Sequence, residues 1–108
     1  MNVGEIILLP FPFAELTHKK VRPAVVVCET SDKYKDLVVC SISSVIPSDL
    51  SANEILLHPD QTNKLRAESV IKVDRIVTVK RRHVIARIGR LDEDALANFK
   101  ARFRQLID

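Results

Sequence analysis

Two loop–strand junctions carry the residues that could do chemistry. The first is Lys19-Lys20-Val21-Arg22-Pro23. Pro23 restricts the residue before it to extended backbone, so Arg22 is presented rigidly at a strand start. A planar guanidinium held that way can grip phosphate oxygens through parallel donors. The same pattern also suits an ordinary exposed arginine. The second junction is Ser41-Ile42-Ser43-Ser44. A hydroxyl there can donate to a phosphate or orient a nucleophile, although serines at strand ends are also plain turn formers.

Other reactive constellations are missing from the sequence. There is no Gly-rich phosphate loop and no Cys-x-x-Cys pair. His18, His58 and His83 are far apart and lack the spacing of metal ligands. The carboxylates Asp92 and Asp94 are explained by a helix start. No cofactor is implied.

A chain of 108 residues is long enough for one domain, spanning 1–108, with a single core. Its hydrophobic (46%) and charged (29%) fractions are those of a folded protein rather than a disordered one. No apolar run approaches the ~20 residues a bilayer span requires. The first residues, Met1 to Glu5, have no basic flank or long apolar stretch, so no export signal is expected and the cytoplasm is the expected location. Charge is unevenly spread: residues 1–60 carry 5 Lys/Arg against 8 Asp/Glu, and residues 61–108 carry 12 against 6. A basic half suits an anionic partner such as nucleic acid, or simply a solvated surface.

Short strands must position the two junctions. Glu5 to Pro10 is an apolar run of strand length, and the prolines at 10 and 12 exclude helix there. The polar loop Thr17-His18-Lys19-Lys20 leads into Val21–Glu29, rich in β-branched valine, and a break leads into Leu37–Ser43. Residues 47–53 read as a loop, Glu54–Leu57 as a short strand, and His58–Glu68 as polar with a turn or helix start at Pro59 and Asp60. Ser69–Val73 and Arg75–Val79 read as two further strands. Cys28 and Cys40 each follow valines and are expected as buried core thiols. Five or six short strands suggest a closed or nearly closed barrel. The period then changes: Leu96, Phe99, Phe103 and Leu106 make one helical face, with Asp92 as N-cap and Arg102 and Arg104 toward the end.

Taken in order, these pieces resemble the MazF/PemK toxin family of type II toxin–antitoxin systems. The matching stretches are Gly4-Glu5-Ile6-Ile7-Leu8, then Arg22-Pro23-Ala24-Val25-Val26-Val27, then Val39-Cys40-Ser41-Ile42-Ser43. Glu68-Ser69-Val70-Ile71, Asp74-Arg75-Ile76-Val77-Thr78-Val79 and Ile88-Gly89-Arg90-Leu91-Asp92 continue them over nearly the whole chain. The resemblance implies a mainly β fold, an SH3-like barrel of five to seven strands with a packed C-terminal helix. It also implies a homodimer whose interface groove takes single-stranded RNA, endoribonuclease (mRNA interferase) activity without a metal, and inhibition by an antitoxin.

By the same resemblance the catalytic pair falls on Arg22 and Ser43, with Thr17, His18, Lys19, Lys20 and Ser44 as RNA contacts. The RNA 2′-OH would attack the adjacent phosphorus, leaving a 2′,3′-cyclic phosphate and a 5′-OH. Two positions depart from the family: Ser43 stands where Thr is usual, and Val45 where many relatives have Gln. Two rival readings keep the fold: a CcdB-like gyrase-poisoning toxin, and a non-catalytic barrel that binds nucleic acid or a protein partner.

Overall fold

The apolar runs at the start of the chain are continuous rather than alternating because three strands are buried on both faces. A computed structural model describes residues 1–11 and 20–108, with the backbone alone at residue 11. Its elements are β1 (Glu5–Phe11), β2 (Lys20–Glu29), β3 (Leu37–Ser43), β4 (Glu54–Leu57), β5 (Ser69–Val79), β6 (Ala86–Arg90) and the helix α1 (Glu93–Gln105), with one 3-10 turn at Arg81–His83. The strands form one antiparallel sheet in the order β4-β5-β3-β2-β1-β6.

One face buries Ile6, Val25, Cys40, Ile42, Ile71 and Val73 under α1. The other buries Ile7, Leu9, Ala24, Val26, Leu37 and Val39, covered by Val77, Val79, Val84 and Met1. That second cover comes from the far half of β5 and the turn after it, so the sheet curls on itself as a half-barrel. The six strands lie within the expected five to seven. β4 and β6 remain as edges, so closure is partial.

Irregularities in register produce the curl. Along β5, Lys72 faces Ser41 and Ile76 faces Cys40, so Val73, Asp74 and Arg75 bulge out of the ladder. The sequence reads two strands here; the chain makes one bent strand, with its bend at the polar Asp74. A second shift falls between Val26 and Cys28. It turns Cys28 outward to solvent while Cys40 stays buried, which corrects the expectation of two core thiols. Residues 86–90, which the sequence pattern does not mark as a strand, form β6, and residues 58–68 make turns rather than a helix.

The helix is as the periodicity requires. Asp92 accepts from the Ala95 N–H at 2.8 Å, and Glu93 and Asp94 occupy the first turn. Phe99 is fully buried, Leu96, Phe103 and Leu106 pack beside it, and the Phe99 and Phe103 rings sit 6.0 Å apart. Gly4 lies under the helix with φ +89, a conformation L residues rarely adopt, and its carbonyl accepts from Leu91. That bond ties the start of β1 to the entry of α1.

Candidate active site

Arg22 sits on β2 opposite Leu9 of β1. On its other side the β2–β3 ladder runs from Glu29↔Leu37 to Ala24↔Ser41 and stops there. Pro23, the next residue, has no N–H to extend it. Arg22 and Ser43 each lie two residues past the last pair, Ala24↔Ser41, at the open end of that ladder. The guanidinium-bearing and hydroxyl-bearing positions therefore both stand where the paired stretch of β2 and β3 ends.

The surroundings suit an incoming anion. Arg22 is exposed, and among the described residues no carboxylate lies within ion-pair distance of it. Ser43 is half-buried, and its Oγ accepts from the Val45 N–H at 3.1 Å. With one lone pair engaged, the hydroxyl proton is left to donate outward. The Val45 side chain is 74% exposed, and Val21, Ile46 and Leu50 are also exposed apolar groups on the segments flanking the pair.

Of the other expected RNA contacts, Lys20 is exposed at the start of β2 and Ser44 is exposed just after β3. Both therefore flank Arg22 and Ser43. Thr17, His18 and Lys19 lie outside the described residues. Among the described residues no three His, Cys, Asp or Glu side chains gather as a metal site would require. Sequence reasoning passed over β6 and its cations Arg87 and Arg90. The excess of Lys and Arg after residue 60 was the signal that pointed there.

The family model described as "PemK-like, MazF-like toxin of type II toxin-antitoxin system" matches residues 2–107. Among solved structures, the chain is similar in fold to the Mycobacterium tuberculosis toxin MazF-mt6, with a TM-score of 0.70 at 16% identity over 96% of each chain. No curated protein matches in sequence.

Proposed function

The chain belongs to the PemK-like, MazF-like toxin family of type II toxin–antitoxin systems, and from that premise we propose that it is a cytoplasmic, metal-independent endoribonuclease that cuts single-stranded RNA at selected sequences. The observation that supports the proposal is that the β2–β3 ladder ends at Ala24↔Ser41, two residues short of Arg22 on one strand and of Ser43 on the other. No helix of the described residues is long and apolar enough to cross a membrane.

In this mechanism the nucleophile is supplied by the substrate. The 2′-OH attacks its own 3′ phosphorus, the P–O5′ bond breaks, and the products carry a 2′,3′-cyclic phosphate and a 5′-OH. Negative charge grows on the phosphoryl oxygens in the transition state, and Arg22 offers parallel donors to them. It also hydrogen-bonds the departing 5′ oxygen, which takes a proton from solvent as the attacking 2′-OH gives its own to solvent. Ser43 donates to a non-bridging oxygen and fixes the in-line geometry. Lys20 and Ser44 hold the flanking backbone, together with Thr17, His18 and Lys19. DNA, lacking the 2′-OH, is bound without being cut. The active form is a homodimer, and a cognate antitoxin occludes the groove.

The test is cleavage of mixed-sequence RNA in EDTA by the parent, Arg22→Ala and Ser43→Ala. Cyclic-phosphate ends are expected from the parent, with a loss of ~100-fold or more in Arg22→Ala, the scale for a removed transition-state donor. Parental rates in Arg22→Ala would remove that residue from the mechanism. Cleavage abolished by EDTA would point to a metal nuclease instead.

A further inference from the structure

A second basic site lies at the β6 edge, away from the Arg22–Ser43 pair. The turn of residues 58–65 packs against β6 and leaves an open cleft of about 490 Å³ between them, lined among others by Gln61, Thr62, Lys64, Arg87 and Arg90. Glu5 is the one carboxylate in its lining, and it pairs with Arg87 at 3.0 Å. Among the described residues neither Lys64 nor Arg90 has a carboxylate in ion-pair reach. Three cations against one anion make this a surplus of positive charge in a concave, nucleotide-sized space.

The cleft is rigidly built. The Asn63 side chain is buried; its Oδ1 accepts from Asp60 N and Leu65 N at 3.1 and 3.0 Å, and its Nδ2 donates to the His58 carbonyl at 2.9 Å. The Arg90 N–H donates to the Thr62 carbonyl at 3.0 Å, clamping the turn to the strand. Lys64 takes a left-handed φ of 58, unfavourable for a residue with a side chain, next to the cleft.

Register relates the cleft to the cutting site. Arg22 faces Leu9, and Ile7, two residues back on β1, faces Arg87 on β6. Arg87 and Arg22 therefore share one side of the sheet, two strands apart, roughly 10 Å in the pairing direction. That separation is within the reach of a few nucleotides of a single strand.

We propose that the cleft between β6 and the 58–65 turn is a second backbone subsite for single-stranded RNA, in which Lys64 and Arg90 bind a phosphate remote from the scissile one. The inference rests on the ribonuclease reading for the identity of its ligand. Guanidinium and ammonium groups together with the amide of Gln61 and the hydroxyl of Thr62 match a nucleotide, phosphate and base, better than a string of peptide carboxylates.

The experiment compares the parent, Lys64→Ala/Arg90→Ala, and the charge-matched control Lys33→Ala/Arg104→Ala, both of whose residues are exposed elsewhere. Binding of a 2′-O-methyl RNA octamer, which cannot be cut, is followed by fluorescence anisotropy across a salt series. Cleavage of the unmodified octamer supplies KM and kcat. The cleft variant is expected to bind about 10-fold more weakly, with a salt slope shallower by about 1 to 2, one for each lost phosphate contact. KM should rise with kcat unchanged, and the control should match the parent. Parental affinity and KM in the cleft variant, an equal loss in the control, or a parent that binds no octamer would each overturn the proposal. So would a polyglutamate peptide that competes in the parent and loses affinity in the cleft variant as the RNA does. If the parent cuts nothing yet the cleft variant alone weakens octamer binding, the subsite stands and the nuclease reading falls. If the parent cuts and the cleft variant is unaffected, the reverse holds.

Discussion

The Ser43 hydroxyl accepts a hydrogen bond from the backbone N–H of Val45 at 3.1 Å. This bond bears on the departure from threonine. A β-branched side chain has its rotamer limited by its own methyl; here a backbone donor two residues on restrains the oxygen instead. Ser43→Thr is therefore expected to keep cyclic-phosphate production within a few-fold of the parent, while Ser43→Ala loses ~100-fold, the scale for a missing donor to the transition state. Equal activity in all three proteins would take Ser43 out of the mechanism.

Gly89 faces a second constraint. A Cβ on it would stand 2.5 Å from the Thr62 carbonyl oxygen and 2.6 Å from that of Asn63. Both are backbone atoms and cannot swing aside. Gly89→Ala should destabilise the fold by about 1–3 kcal/mol, the usual cost of overpacking, with a lower urea midpoint. An unchanged midpoint would mean that the turn is free to move off β6.

The thiols should differ sharply toward a reagent. Cys28 is exposed beside the β2 bulge, whereas burial, with Asp74 nearby, pushes the Cys40 thiol up to about 12. Its Sγ also donates to the Val73 carbonyl at 3.4 Å. A thiolate-specific disulfide reagent should titrate one group in the native protein and two in denaturant. Two fast native groups would contradict the placement of Cys40.

Acid should loosen one end of the sheet. Glu29 pairs with the N-terminal ammonium at 2.6 Å and with Arg81 at 2.8 Å, and these hold its carboxyl at about 2, below an ordinary value of 4.5. A depressed carboxylate contributes stability fully above its unfolded pKa and loses it as pH falls toward the folded one. The contribution therefore fades between about pH 4.5 and pH 2. Glu29→Gln should be less stable than the parent at pH 7 and converge with it near pH 2 in urea titrations. A constant difference across that window would show that the pairs do not matter to folding.

Local chemistry was readable where it depended on neighbours in sequence. The Asp92 cap, the Phe99 face and the bounds of β3 follow from adjacent residues alone. β6 was hidden because Ala86-Arg87-Ile88-Gly89-Arg90 has a weak strand pattern, and it is held instead by pairing with β1 and by the turn at Thr62. Cys28 was misplaced for a related reason: alternation predicts the face of a regular strand, and a bulge resets it. The Arg22–Ser43 pairing was visible only through the family resemblance. Nothing in either junction alone says that residues 21 positions apart come to the same end of one ladder, whose last pair, Ala24↔Ser41, lies two residues short of each.

The strand order has a consequence for synthesis. Glu5 pairs with Arg90 and Ile7 with Arg87, so the first strand completes its ladder with residues 80 to 85 positions later in the chain. Bringing the ends of so long a loop together carries an entropic cost that is met only once those residues exist. A partly translated chain leaving the ribosome would thus lack the sixth strand and the helix that seals the core.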